Sequence, residues 1–342
     1  MKAIVVHRFG PPDVLAVEEL PAPQPGPGEV LVRLRAAGVN PVDAYIRAGT
    51  YARKPALPFT PGSDGAGTVD GVGEGVEGWS VGDRVYVTGT AGRGLGTYAQ
   101  WTVCAPAQVR HLPDHVSFEQ GAAIGVPYGT AWRALFQRGG ARPAETVLVR
   151  GASGGVGLAA LQMARAAGIH ALGTAGTDAG AALAREQGAD LVFDHHAEDC
   201  DDLILEATGG RGVDLVLEML ANVNLARDLT LLAPFGRIVV VGNRGTLEVN
   251  PRDAMAREAD IRGMLLANTP PADLLRIHAG IGAGLRNGTL RPVVGRRFTI
   301  EEGPGAHEAV MAPGAHGKIV ITTMQLAAGG GQPAATTREV AC

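Results

Sequence analysis

Apolar positions along this chain change character twice. Up to about residue 120 they fall in strand-length runs: Lys2–His7, Glu29–Ala36, Gly65–Val72, Arg84–Thr88, Thr97–Val103 and Gln108–His111. Pro/Gly turns such as Pro21–Gly28 separate them. That texture predicts a twisted, partly closed β-domain. Near Phe118–Gly139 the pattern turns helical, with Gly121, Ala122, Ala123, Thr130, Ala131, Trp132 and Leu135 forming a small-residue linker. Strands and helices then alternate. Predicted strands after Val147–Val149 are His170–Gly173, Asp190–Asp194, Val213–Leu217, Arg237–Val241 and Ile261–Leu266. Predicted helices are Ala179–Gln187, Asp199–Thr208, Asn224–Ala233 and Pro251–Arg257. Apolar strands alternating with helices imply a parallel sheet covered on both faces. After residue 288 the chain becomes β-like again, at Pro292–Val294, Arg297–Ile300 and Gly317–Thr322. This end is expected to return to the first domain.

The stretch Thr146–Gly157 carries the most chemistry. A β-branched run meets a glycine-rich turn that opens into the apolar-periodic segment Leu158–Gly168. A strand, a tight turn and a helix in this order set backbone N–H groups where they can hold a diphosphate. The spacing Ala152-x-Gly154-x-x-Gly157 is one methyl group from the dinucleotide fingerprint. Gly154 lets the backbone approach the pyrophosphate and Gly157 lets the helix approach the sheet. With alanine at the first position, the turn there is expected to do without a positive φ. The predicted architecture is therefore α/β, a doubly wound parallel Rossmann sheet inserted into a β-domain.

Composition narrows the function classes. The net charge of −4 offers no basic field, so composition implies no nucleic acid. There is no apolar run long enough to span a membrane, and the start lacks a signal-peptide core, which points to a cytoplasmic protein. Cys104, Cys200 and Cys342 are scattered and odd in number, against a disulfide framework or a cysteine-rich zinc lobe.

Several longer strings resemble one family. They are Gly38-Val-Asn-Pro-Val, Tyr45-Ile-Arg, Gly49-Thr-Tyr, Arg53-Lys-Pro, Thr60-Pro-Gly-Ser-Asp64, Gln120–Gly125, Gly151–Leu158, Gly173–Thr177, Glu218–Asn224 and Asn250–Asp253. Over about residues 1–323 the chain resembles the zinc-free, ζ-crystallin-like quinone oxidoreductases of the medium-chain dehydrogenase/reductase superfamily. The resemblance implies a GroES-like catalytic domain at 1–125, a Rossmann NADPH domain at 126–268 and a return to the catalytic domain at 269–326. Residues 327–342 lie outside it, lack periodicity and are expected to be a mobile tail. It also implies NADPH-dependent reduction of quinones and a homodimer or homotetramer.

The zinc-binding relatives carry a cysteine after the first glycine loop and a Gly-His-Glu stretch later. Here these read Gly38-Val39-Asn40 and Gly62-Ser63-Asp64. His7, His111, His115 and His316 lack thiolates or carboxylates at ligand spacing. His195-His196, beside Asp194 and Asp199, reads as a loop surface. No metal site is expected, so the acceptor must be reducible without a Lewis acid, as quinones and conjugated carbonyls are.

NAD preference usually needs an acidic residue at the end of the second strand. The local string Gly173-Thr-Ala-Gly-Thr177 is small and neutral. With Thr174 and Thr177 hydroxyls, and with Asp178 read as the cap of the next helix, NADPH is expected over NADH. The resemblance implies cofactor contacts at Tyr45, Ser153, Gly154, Gly155, Val156, Gly176, His195, Asn224, Val241, Gly242, Asn243, Arg244, Met264, Leu265 and Leu266. His195 and Arg244 are candidate charge partners of the 2′-phosphate.

Asn40, Tyr45, Tyr51 and Tyr128 are the polar candidates for the substrate pocket. The expected chemistry is hydride or electron transfer from nicotinamide, with Asn40 or a tyrosine hydroxyl polarising the acceptor oxygen. Two alternatives stay open. One is an NADPH-dependent reductase of alkenals or enones. The other is a nucleotide-linked RNA-binding or structural crystallin-type protein, against which the acidic balance speaks. Arg237–Val241 is expected at the edge of the sheet, where pairing between subunits occurs.

Overall fold

The computed structural model describes residues 1–90 and 95–324. The expected tail at 327–342 lies outside the described residues.

The chain begins as a β-domain: β1 (Lys2–Val5), β2 (Ala16–Glu19), β3 (Val30–Val39), α1 (Pro41–Ala48), β4 (Asp64–Val72), β5 (Arg84–Thr88), β6 (Trp101–Cys104) and β7 (Val109–His111). The linker helices α2 (Phe118–Ala122) and α3 (Gly125–Trp132) follow. The second domain runs β8 (Thr146–Val149), α4 (Gly155–Ala166), β9 (His170–Ala175), α5 (Asp178–Glu186), β10 (Leu191–Asp194), α6 (Cys200–Ala207), β11 (Val213–Glu218), α7 (Ala221–Leu231), β12 (Leu232–Val240), α8 (Pro251–Met255) and β13 (Asp260–Gly263). A helix, α9 (Pro271–Arg286), leads to β14 (Val294–Thr299), α10 (Gly303–Met311) and β15 (Lys318–Thr322).

The six-stranded sheet has the order β10-β9-β8-β11-β12-β13 and is parallel throughout. In chain order this is 3-2-1-4-5-6, the doubly wound dinucleotide arrangement, whose order reverses between β8 and β11. Val147, Leu148 and Val149 are buried on both faces, as a central parallel strand requires. The sheet of the first domain has the order β14-β15-β3-β4-β5-β7, with β6 also on β3. β15 pairs antiparallel with β3, so the end of the described chain rejoins the first domain.

Three local expectations change. The outer strand beside β12 is β13, so Arg237–Val241 is not an edge. Three helices have no counterpart in the apolar pattern, and one of them, α10, falls in the stretch expected to be β-like. α1 follows Asn40, with Pro41 in its first turn and Gly49 closing it at φ +73°. α9 carries Gly280, Gly282 and Gly284 in its interior. The dinucleotide turn also keeps a left-handed residue: Gly151, with φ +61°, supplies it one position before Ala152.

Candidate active site

The carboxyl ends of the parallel strands carry nearly every residue expected to meet the cofactor. Ser153–Val156 follow β8, Gly176 follows β9, His195 follows β10 and Asn224 lies in the first turns of α7 after β11. Val241–Arg244 follow β12 and Met264–Leu266 follow β13. At the switch in strand order, Gly154 precedes α4 in extended conformation. The first helical bond is Leu158 N to Gly154 O at 2.9 Å, leaving the N–H groups of Gly155, Val156 and Gly157 outside the ladder. A Cβ on Gly154 would have only Gly151 O nearby, at 3.5 Å, whereas one on Gly157 would stand 2.6 Å from the same oxygen. One glycine opens a cradle and the other packs the helix on the turn. The Val156 and Gly157 donors at the start of a 12-residue helix fit a diphosphate.

Below this turn lies a buried ion cluster. Arg150 donates through Nε to Asp228 Oδ1 at 2.8 Å and faces Asp201 at 3.5 Å. Glu218, at the end of β11, accepts from Leu220 N and from Asn224 Nδ2. Burial, together with the nearby Glu218 carboxyl, holds the Asp228 carboxyl far above the usual range. The cluster therefore fixes both loops that flank the switch point. Asn224 is spent on this bracing, with Nδ2 3.2 Å from Glu218 Oε1.

The first domain contributes a second buried network. Asn40 is 2% exposed. Its Nδ2 donates to Asp64 Oδ2 at 2.9 Å, and its Oδ1 accepts from Lys318 Nζ. Asp64 Oδ1 accepts from Val126 N at the start of α3, and Ser63 donates to Asp43 at 2.8 Å. Tyr98 also donates to Asp43, and His307 meets the Tyr98 hydroxyl. Burial pushes the Asp64 carboxyl up to about 6, even though Lys318 and Asn40 pull it down. Burial likewise lowers Lys318, against the pull of Asp64 and Asp43. Lys318 reaches the cofactor face as well. Gly317 N donates to Ser153 O at 2.9 Å, and the Lys318 stem lies 3.6 Å from where a Gly155 Cβ would stand.

Three hydrogen bonds bridge the mouth of the cleft. Arg244 Nε donates to the Tyr45 hydroxyl at 3.2 Å, Arg244 Nη1 to Met311 O at 3.3 Å, and Arg53 to Asn268 Oδ1 at 3.3 Å. Tyr45 thus faces the second domain from α1, at the end of the cleft beyond β12.

Models for the alcohol dehydrogenase GroES-like domain and for zinc-binding dehydrogenases match residues 26–114 and 155–277 respectively. Human quinone oxidoreductase is 46% identical over 323 residues, covering 94% of this chain and 97% of the relative. The chain belongs to the quinone oxidoreductase family. Its fold superposes on the Escherichia coli quinone oxidoreductase complexed with NADPH with a TM-score of 0.84 at 29% identity, over 94% of this chain and 100% of that one. A structure described as an NAD-dependent alcohol dehydrogenase gives 0.87 at 31% identity, over 94% and 99%. The fold alone therefore does not select the cofactor. The protein is an oxidoreductase of the medium-chain dehydrogenase/reductase superfamily, of its zinc-free type.

In this family member, Asn40 and Ser63, expected where zinc-binding relatives carry cysteine and histidine, are arranged around a lysine ammonium and two carboxylates. Among the described residues no three His, Cys, Asp or Glu side chains converge as metal ligands would.

The geometry gives specific partners to several of the residues expected at the site. Tyr128 lies in the core between the domains, 2% exposed, with its hydroxyl donating to Gln162 Oε1 at 2.9 Å. Burial raises its pKa far above the usual phenol value. It braces α3 against α4. Asn40 has its carbonyl and one amide hydrogen committed to Lys318 and Asp64, so it orders the cluster. His195 and Arg244 do not share a phosphate: β10 and β12 are four strand spacings apart, ~19 Å. Thr174 is buried with Oγ1 accepting from Gly151 N, and the cap of α5 is Thr177, not Asp178. Tyr51 stays half-buried beside α1, its ring against the apolar core of the first domain.

Sequence reasoning missed Lys318, Asp43 and the Arg150–Asp228–Glu218 group as parts of the site. Only Asp64 carried a signal, as the residue standing at the Glu of the zinc relatives' Gly-His-Glu.

Proposed function

We propose that this protein is an NADPH-dependent quinone oxidoreductase that works without a metal. The observation that carries the reading is the neutral glycine-rich face at the switch point. It is closed against a catalytic domain whose zinc-ligand positions hold Asn40 and Ser63. When bound, NADPH supplies a hydride to the acceptor.

The chain's own residues do the rest. The Ser153–Val156 turn and the first turn of α4 bind the diphosphate. Gly242 lets its backbone lie against Met219: a Cβ there would come 2.2 Å from Met219 O, so the two loops beside the nicotinamide end stay packed together. Tyr45 and Arg244 close that end. Lys318, held by Asn40 and Asp64, places a positive charge beside the cofactor turn. The proton that completes a hydroquinone comes from solvent.

NADPH over NADH rests on the two imidazoles, His195 and His196, that face Gly176. Asp178 is exposed in the first turn of α5, where it complements the helix N-terminus. The protein is further read as a cytoplasmic homo-oligomer. The outer strand β13 is its pairing edge, with Ile261 46% exposed. Among the described residues no helix is long and apolar enough to cross a membrane.

The test is a steady-state panel of orthoquinones, paraquinones, alkenals and enones with NADPH and with NADH, in chelator-treated buffer. The reading requires quinone turnover with NADPH favoured at least ~10-fold in kcat/KM, about 1.4 kcal/mol. Faster turnover of alkenals would move the assignment to the enone-reductase class. Nucleotide binding without turnover of any acceptor would move it to the structural class.

A further inference from the structure

The mouth of the cleft gathers positive charge in a chain whose net charge is −4. Arg244, after β12, spends Nε on the Tyr45 hydroxyl and Nη1 on Met311 O. Arg53, in the loop after α1, spends one N–H on Asn268 Oδ1 at 3.3 Å. Lys54 stands next to it, with Nζ 5.8 Å from the centroid of the Phe9 ring. All of these partners are neutral. Among the described residues none of the three cations makes an ion pair. Arg211, Arg227 and Arg297, elsewhere on the surface, each have a carboxylate. The acids of the elements around the mouth are engaged elsewhere or stand apart. Asp43 on α1 is buried with Ser63 and Tyr98. Asp273 on α9 pairs with Arg276, and Asp260 on β13 pairs with Arg262. Glu248, in the loop that carries Arg244, forms no ion pair with it. We propose that Arg53 and Lys54 select the acceptor, and that the preferred quinones carry an anionic group, a carboxylate or sulfonate, on the ring edge remote from the reacting carbonyls. This names the substrate class of the proposed quinone reductase site and rests on that reading.

An acceptor enters between the two domains, so its trailing edge passes the Arg53–Asn268 and Arg244–Tyr45 bridges. Arg53 keeps most of its planar fork unused, and that fork can take a carboxylate through two parallel N–H bonds. Asn268 Oδ1 is a neutral acceptor that a carboxylate outcompetes, because a charge-assisted hydrogen bond is roughly twice as strong as a neutral one. Lys54 adds a point charge with no hydrogen bond of its own to give up. Both side chains are exposed, so each contact alone is worth little and is screened by salt. Together they act at encounter, since a cleft lined by one sign of charge raises the capture rate of an oppositely charged ligand. Selection is therefore expected in kcat/KM, and it should weaken with ionic strength. A neutral quinone has neither effect.

The experiment compares kcat/KM of the full chain for phenanthrenequinone and for phenanthrenequinone carboxylate, whose acid group lies on an outer ring, at saturating NADPH. The carboxylate should be favoured ~10-fold or more at ~0.02 M ionic strength, and this ratio should fall ~3-fold or more at ~0.3 M. Arg53→Gln should lower the ratio ~3–10-fold at low salt, and Arg53→Lys should restore most of it because the charge returns. Lys54→Gln should lower it ~2–3-fold. The ratio cancels any general effect of a variant on the fold or on domain closure, so a merely structural Arg53 would leave it unmoved. A preference that survives Arg53→Gln and Lys54→Gln together overturns the assignment to these side chains. A salt-independent ratio near one overturns the selection and leaves the quinone reductase reading standing. Turnover of neither quinone overturns that reading and the selection with it.

Discussion

Lys318 on the last strand donates through Nζ to Oδ1 of Asn40, a residue 278 positions earlier. This hydrogen bond joins β15 to the start of α1 directly behind the cofactor turn. It also supplies the cation that two buried carboxylates need, with Lys318 Nζ 3.8 Å from Asp64.

Removing that cation leaves Asp43 and Asp64 uncompensated in the interior. Lys318→Met should destabilise the protein by ~3–5 kcal/mol, the cost of breaking a buried pair by deleting one partner. Lys318→Met with Asp64→Asn should recover a large part of the loss, because the orphaned charge is gone. Chemical denaturation of the four proteins closes the cycle. Additive effects would mean that the two side chains do not stabilise one another.

Gly157 is a packing position. A methyl group there would stand 2.6 Å from Gly151 O and 2.7 Å from Ala152 Cα, both backbone atoms that cannot swing away. Gly157→Ala should therefore displace the turn, weaken NADPH at least ~10-fold and cost ~1–3 kcal/mol of stability. Titration by nicotinamide fluorescence with parallel thermal melts reads both. Wild-type affinity would show that α4 can move without disturbing the turn.

What the sequence disclosed follows the range of the forces involved. The Val147–Val149 strand, the glycine turn and the strand–helix alternation depend on neighbours within a few residues, so periodicity and turn chemistry expose them. α9 is hidden because its glycines answer to distant partners. A Cβ on Gly280 would meet Trp132 Cη2 at 2.1 Å, and one on Gly284 would meet Leu290. Their cost in helix propensity makes the segment read as a loop. Tyr128 misled for the converse reason: a tyrosine in a matching string says nothing of Gln162, which takes its hydroxyl. Lys318 gave no signal at all, since its role exists only once β15 lies on β3.

Acid should weaken the fold through two buried imidazoles. His278, 4% exposed beside the Tyr86 hydroxyl, is pushed down to about 4 by burial. His307 is likewise pushed down to about 3. Between their folded values and the unfolded imidazole value of about 6.5, the unfolded chain binds protons that the native chain refuses. Stability is thus greatest above that window and falls as pH drops through it. From pH 7.5 to 5 each histidine should remove ~2 kcal/mol. Asp64, raised to about 6, opposes this trend, so the comparison must be made between proteins. Urea unfolding of the wild type and of His278→Gln at both pH values should show a smaller acid loss in the variant. An equal loss in both would acquit His278.

The hydrogen bond from Arg244 to Tyr45 crosses from one domain to the other at 3.2 Å. Arg244 is anchored from behind by its backbone N on Asn222 Oδ1 at 2.8 Å. Tyr45 projects from α1, whose start is tied into the Asn40–Lys318 cluster. The pair therefore latches the nicotinamide end of the cleft to two rigid supports. Tyr45→Phe keeps the ring and removes only the acceptor, so kcat/KM for a quinone should fall ~3–10-fold, the worth of one partly solvated hydrogen bond to a cation. The melting temperature should stay within ~2 °C, since the bond lies at the surface. Arg244→Met also removes the bond from Nη1 to Met311 O, so its fall should be at least as large. The double variant decides the matter: if the latch is the shared cause, its kcat/KM equals that of Arg244→Met alone. If the two losses multiply, each side chain acts alone and the latch contributes nothing.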